Sequence, residues 1–408
     1  MKTLVPETEK EVAEIVGAAL SQDTPVDIIG AGSRAGLGRP AVADISLSTL
    51  GLNGVTLYEP SELVLTAGAG TPLSTITALL DEQDQQLAFE PIDHAPLFGG
   101  TCGAGTVGGL VAVNASGPRR IKIGAARDHL LGFRAISGRG EVFQSGGRVM
   151  KNVTGYDLCK LMAGSYGTFG IFSEITLKVL PKAETELTLL VTGLAENSAI
   201  EVMTGVSGLS YEISGFAHLP LLDSRFSSPA PADLAGSPLT ALRLEGPENS
   251  VMARKSQLMD YLKPKSQPIE VLDKSASELL WAGLRDALPF AGTKDQVWRI
   301  SSVPTTAAKL VEDLLAKGVA VSCHYYDWAG GLIWLAVEPA DEAHAPAIRE
   351  VVDLHSGHAT LVRASNEVRT RVPVFHPQPV ALGALTKRLR ESFDPRLILN
   401  RGRVRGDL

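Results

Sequence analysis

Residues 99–120 read GGTCGAGTVGGLVAVNASGPRR, with seven glycines among 22 positions and two arginines at the end. Glycine is costly to order, so such a run serves a geometry that other residues cannot reach. Val107, Leu110, Val111 and Val113 are interleaved with the glycines, which points to a buried element rather than a solvated linker. A second glycine turn, GAGSRAGLG (30–38), follows the short apolar strand PVDIIG. Successive N–H groups in a glycine turn form a cradle for anions. Gly30–Arg34 and Gly105–Gly109 are therefore two candidate anion-binding turns. A folded chain carrying both must place them on one scaffold.

The first turn also matches the G-x-G-x-x-A spacing of a nicotinamide-dinucleotide fingerprint through Gly30, Gly32 and Ala35. That fingerprint needs a helix after the turn. Gly36, Gly38 and Pro40 argue against one, and Asp44 and Glu59 miss the position of a ribose partner. The nicotinamide reading is disfavoured.

The remaining pattern is α+β. Thr8 and Glu11 form a capping box ahead of Val12, Ile15, Val16 and Ala19 at helical spacing. Residues 44–50 and 62–70 read as strands, and Thr71-Pro72 as N-cap and N1 of a helix reaching Leu80. Residues 129–147 read as a hairpin turning at Gly138–Gly140, and 152–181 as a short helix, a glycine turn and a strand. From 182, strands and helices alternate as in a sheet covered by helices, interrupted by the Pro/Ser/Ala-rich loop 223–238. A final amphipathic helix stops before Asp394-Pro395. The division expected is 1–181, 182–383 and 384–408.

The net charge of −7 does not suggest a nucleic-acid surface. The sign is uneven, however. Residues 1–114 carry 14 acidic and 4 basic side chains, and residues 115–182 carry 4 and 11. The basic block directly after the glycine run suggests an anion pocket or a partner surface. Cys102, Cys159 and Cys323 form no metal or disulfide pattern and are expected as buried thiols. The eight histidines show no ligand spacing, so no metal is expected. No apolar run reaches membrane length, and the first residues do not read as a signal peptide, which suggests a cytoplasmic protein.

Taken together, IIGAGSRAGLG, TAGAGTPLSTI, GTVGGLVAVNASGPRR, KNVTGYDLCKLMAGSYGTFGIFSEITLKVLP and FDPRLILNRGRV resemble the FAD-binding superfamily of vanillyl-alcohol oxidase and para-cresol methylhydroxylase. SGPRR, GGRVMKNVTGYDLCKL and VWRISSVP are most similar to its glycolate oxidase FAD-binding subunits. The resemblance implies a two-lobed para-cresol-methylhydroxylase-type FAD domain, an α/β cap domain and a C-terminal segment returning to the flavin. It implies non-covalent FAD. Gly30, Ala31, Gly32, Ser33 and Arg34 would lie on one side of the diphosphate, with Gly105, Thr106, Val107, Gly108 and Gly109 on the other. Asn114, Ser116, Gly117, Pro118 and Arg119 would follow the middle of the cofactor, Gly167, Thr168, Gly170 and Ile171 its adenosine end, and Asn400 the isoalloxazine edge. Relatives carry proline where this chain has Arg401. Arg120 and Lys122 would face solvent or a partner.

The resemblance further implies oxidation of glycolate to glyoxylate, together with a larger flavin subunit and an iron–sulfur subunit, peripheral to a membrane through those partners. The His-Ala-Gly-Asp-Gly-Asn stretch of the larger subunit is missing here, which suggests an electron-relay or structural role for this chain. If the chain itself oxidises a small 2-hydroxy acid, Arg243, Arg285, Tyr325 and Trp328 are the cap residues to consider. A stand-alone FAD oxidoreductase for another hydroxy acid, alcohol or sugar is the alternative.

Overall fold

The computed structural model describes residues 2–148, 155–221, 236–263 and 269–406. Most of the 223–238 loop and the start of the 152–181 segment lie outside these residues. The chain divides into two compact units. The first is Met1–Ser116, Gly124–Lys182 and Pro373–Leu408; the second is Gly117–Ile123 and Ala183–Val372. The first unit thus resumes at Pro373 rather than 384, and it yields a seven-residue excursion, 117–123, to the second.

The first unit has two main sheets. Strands β1 (Lys2–Leu4), β2 (Val26–Ile29) and β3 (Ile45–Ser48) form a parallel sheet in the order β1-β3-β2. Strands β4 (Val55–Glu59), β5 (Val64–Gly68), β7 (Leu130–Ile136), β8 (Val142–Gly146) and β9 (Ile171–Lys178) form an antiparallel sheet in the order β4-β5-β9-β7-β8. The hairpin read from 129–147 is the β7–β8 pair. Short strands β6 (Gln85–Gln86) and β10 (Leu180–Pro181) pair separately.

Helix α1 (Glu9–Gln22) starts at the capping box: the Thr8 side chain accepts from Glu11 N, and the Glu11 carboxylate accepts from Thr8 N. Its buried Val12, Val16 and Ala19 recur at helical spacing. They pack with Val26 and Leu47 of the parallel sheet and Ile136 and Ile171 of the antiparallel one, together with Ile398 and Leu399 from the tail. One helix face therefore joins both sheets and the tail in a single core. Helix α2 is Leu73–Asp81, with Pro72 as N-cap rather than N1.

The second unit is built on one antiparallel sheet of eight strands. These are β11 (Thr185–Thr192), β12 (Gly215–Leu219), β13 (Leu239–Gly246), β14 (Ile269–Leu272), β15 (Gln296–Ser301), β16 (Val321–Asp327), β17 (Leu332–Val337) and β18 (His358–Arg363). Their order is β14-β11-β13-β12-β16-β17-β15-β18. Strand β17 is buried along its whole length, as expected for a central strand covered on both faces. Among the described residues no helix is long and apolar enough to cross a membrane.

Replacing Thr8 by alanine removes the reciprocal cap of α1. The first unit should lose about 1 kcal/mol of stability, read as a lower denaturant midpoint with an unchanged slope.

Candidate functional site

Strand β2 delivers the chain into the first glycine turn. Gly32 has φ of 77°, a left-handed conformation open to glycine. No helix begins between this turn and β3, so the dinucleotide fingerprint lacks its second half. The hydrogen bonding of the turn is one-sided. Ser48 Oγ donates to the Gly30 carbonyl at 3.3 Å and Thr49 Oγ1 to that of Ile29 at 3.4 Å. The carbonyls of Gly32 and Arg34 accept from Ala35 N and Leu37 N. Arg403 Nη1 donates to the carbonyls of Ala35 and Leu37. Against these filled acceptors, the N–H groups of Ala31, Gly32 and Ser33 have no acceptor among the described residues. Three consecutive donors remain for an external anion.

The second glycine segment corrects the sequence reading. It is a helix, α3 (Val107–Val113), with Thr106 as N-cap. Its first amides are already engaged. Val107 N donates to Thr71 O at 3.0 Å, Gly108 N to Ala69 O at 2.8 Å, and Gly109 N to Thr106 Oγ1 at 3.3 Å. The glycines serve close packing instead. A Cβ on Gly108 would lie 2.7 Å from Ala69 O and 2.9 Å from Ala69 Cβ, whereas one on Gly109 would meet only the Thr106 side chain, at 3.3 Å, and Arg34 at 3.8 Å. A Cβ on Gly30 would collide with the Thr106 side chain. The two glycine segments therefore face each other directly.

Between them lies a cleft of about 750 Å³, a volume that continues into open solvent. It is lined by Gly30, Ala31, Gly32, Ser33 and Arg34 on one side and by Thr106, Gly108 and Gly109 on another. Gly167, Gly170, Ile171 and Asn400 complete it, with Tyr166, Phe172, Thr49 and Arg403, which the sequence did not single out. Gly164 N and Tyr166 N donate to the carbonyls of Val111 and Ala112, docking this third wall on the end of α3. Asn400 ties the walls together: its side chain accepts from Ile28 N at 2.7 Å and donates to Tyr166 O at 2.7 Å. Arg401 does not line the cleft. Its guanidinium donates to the carbonyls of Leu397 and Arg396 and to Asp23, which holds the local turn.

The other sequence-derived positions lie outside this lining. Gly105 accepts from Leu73 N and Val107 is core. Asn114 caps α3 in a left-handed conformation and accepts from Arg127 N, and Ser116 Oγ accepts from Ala126 N. Thr168 is buried, with its hydroxyl on Ser165 O. Gly117, Pro118 and Arg119 belong to the second unit. There Gly117 O accepts from Trp328 Nε1, Arg120 lies 4.8 Å from the centre of the Trp328 ring, and Lys122 pairs with Glu212. The basic cluster that follows the glycine run is thus bound within the second unit.

Arg119 grips Glu245 through Nε and Nη2, at 2.6 Å in its shortest contact, and reaches Glu186 at 3.3 Å. Arg243, 1% exposed, lies 3.6 Å from Glu245 and stacks on Trp281 at 4.6 Å. Burial pushes Glu186 up to about 7 in spite of Arg243. Burial also opposes ionisation of Glu245, but Arg243 and Arg119 outweigh it and hold that carboxyl down at about 2. The geometry agrees with this division, because Glu245 has the closer, two-pronged grip.

The four cap residues weighed for substrate are each engaged internally. Arg243 sits in this network. Tyr325 is fully buried and donates to Leu284 O, Arg285 pairs with Asp286, and Trp328 is flanked by Arg120 and Arg299. The expected burial of the cysteines needs correction. Cys159 is buried, with its thiol pushed up to about 11 by burial, but Cys323 is half-buried and Cys102 exposed. Cys102 lies in the solvent-facing turn ahead of α3, where Gly99 and Gly103 take positive φ.

Both glycine-rich walls of the cleft belong to the first unit. A family model described as "FAD binding domain" matches residues 2–146. The p-cresol methylhydroxylase crystal structure shares the fold, with a TM-score of 0.71 and 15% identity over 100% of this chain and 89% of that one. The glycolate oxidase subunit GlcE of Escherichia coli (strain K12) is 34% identical over 97% of each chain. Glycolate oxidase subunit GlcD of Bacillus subtilis (strain 168) is 28% identical over 73% of this chain and 68% of that one. The chain belongs to the family of the GlcE-type, FAD-binding glycolate oxidase subunits.

The Glu186 carboxyl keeps its proton in the folded state to a higher pH than its ordinary 4.5. Folding then retains a proton that the unfolded chain releases, so stability falls as pH rises from about 4.5 to about 7. Glu186→Gln should flatten that slope, as measured by urea midpoints at pH 5 and pH 7.5. An unchanged slope would contradict the shared-charge arrangement.

Proposed function

We propose that this chain is the FAD-binding subunit of a glycolate oxidase, holding its flavin non-covalently in the cleft of the first unit. The observation carrying this reading is the row of three main-chain donors at Ala31–Ser33, in a cleft that Arg34 and Gly109 also line. A diphosphate offers acceptors and charge matched to such a row. Gly32 keeps the approach clear of side chains, since nothing lies within 4 Å of where its Cβ would stand. Tyr166, Gly167 and Asn400 border the remainder of the cofactor. Bound FAD supplies two-electron oxidation of a CH–OH group.

The complex would contain a larger flavin subunit and an iron–sulfur subunit, and its reaction would convert glycolate to glyoxylate. The kinship with both GlcE and GlcD supports this assignment. The local role proposed for this chain is electron relay, for a reason found in the second unit. A site for a small 2-hydroxy acid needs a cation directed at the carboxylate and a base near the hydroxyl. Arg243 and Tyr325 point instead into the core, and Arg285 is committed to its neighbour.

The chain purified alone should show flavin absorption that glycolate does not bleach without oxygen, with bleaching appearing once the partner subunits are added. Bleaching by the chain alone would make it the oxidising subunit. Gly109→Val places branches at the open side of the cleft and should weaken FAD binding at least about tenfold, a loss of about 1.4 kcal/mol, without unfolding the chain. Full flavin retention would contradict the cleft assignment. Gly108→Val is the folding control, since it meets Ala69.

A further inference from the structure

One stretch of the tail, 398–403, holds the chain on both sides of the first glycine turn. Ahead of the turn, Val26 N donates to Ile398 O at 2.8 Å, Asn400 N to Val26 O at 2.9 Å, and Ile28 N to the Asn400 side chain at 2.7 Å. Beyond it, Arg39 N donates to Arg403 O at 2.8 Å and Val42 N to Arg401 O at 3.0 Å. The Arg403 side chain spans the two sides. Its Nη2 pairs with Asp27 of β2 at 2.6 Å, while Nη1 reaches Ala35 O at 3.1 Å and Leu37 O at 3.4 Å. Arg403 is 6% exposed, so these bonds form where water competes poorly.

The arrangement has a direct consequence for an anion site. A peptide whose carbonyl turns toward a phosphate repels it, whereas one whose N–H does so attracts it. The carbonyls of Ala35 and Leu37, two and four residues beyond the last unengaged donor, are held by one rigid fork. A guanidinium can hold two carbonyls and a carboxylate at once; an ammonium has neither the planar fork nor the reach.

We infer that Arg403 is a positioning residue for the cofactor, fixing the Gly30–Arg34 turn with its N–H groups directed at the diphosphate. This rests on the cleft being the FAD site, so the experiment separates the two claims. Arg403→Met and Arg403→Lys are prepared beside Gly109→Val, and binding of FAD, ADP and AMP to the flavin-free chain is measured with its melting temperature.

Arg403→Met should weaken FAD and ADP, which carry a diphosphate, by about tenfold or more and leave AMP unchanged. Arg403→Lys should recover part of that loss through Asp27. Equal weakening of ADP and AMP, in step with a lowered melting temperature, would reduce Arg403 to a structural residue and overturn the proposal. Unchanged FAD and ADP affinity would overturn it as well, even if Gly109→Val still loses flavin. Retained flavin in Gly109→Val would instead sink the cleft assignment. Should Arg403→Met fail to fold, Asp27→Asn tests the same fork. It leaves the carbonyl bonds in place, and a smaller loss of ADP affinity with unchanged AMP affinity is expected. No loss would count against the proposal.

Discussion

The first glycine turn is asymmetric in its hydrogen bonding, and the rest of the first unit is arranged around that asymmetry. Its carbonyls at Ile29, Gly30, Gly32, Arg34, Ala35 and Leu37 accept from side chains or from the turn itself, while the N–H groups of Ala31, Gly32 and Ser33 do not find acceptors among the described residues. Ala31 and Gly32 are exposed, so these donors are open to an external acceptor. On the reading proposed above, that acceptor is the diphosphate of the cofactor. The buried face of α1 (Val12, Val16 and Ala19) and the core joining both sheets brace the strand that leads into this turn.

Elements specified by local chemistry were legible in the sequence. The Thr8–Glu11 capping box, the hairpin of 129–147 and the Gly30–Arg34 turn after an apolar strand each depend on residues adjacent in the chain. The 105–109 segment was misread because its glycines answer a tertiary demand. Gly108 must pass over Ala69, and Thr106 closes the helix start, so a sequence that looks like a loop winds into α3. Tertiary packing overrides propensity in such short helices. Composition could not reveal that Arg119, Arg120 and Lys122 would be engaged by Glu245, Trp328 and Glu212, because those partners lie far along the chain. Arg403 was invisible for the same reason, its partners being 366 to 376 residues earlier.

The second unit keeps its strongest charges for itself. Two guanidiniums and two carboxyls are packed beside Trp281, Thr188 and Ser277 in a hydrogen-bonded network, where Trp281 Nε1 donates to Thr188 and Ser277 Oγ to Glu186. Breaking a network of this kind at one member is costly, while its intact form contributes little net stability. Through Arg119 the network also anchors the 117–123 segment to β11 and β13.

The dependence of β2 and its turn on residues 398–403 also orders events during synthesis. The apolar strand and glycines near residue 30 leave the ribosome early, yet the edge partner of Val26 and the fork that orients the turn emerge only after more than 360 further residues. On the proposed cofactor assignment, flavin capture in this unit waits for residues 398–403. On that assignment, a nascent chain paused within its second unit would still be colourless.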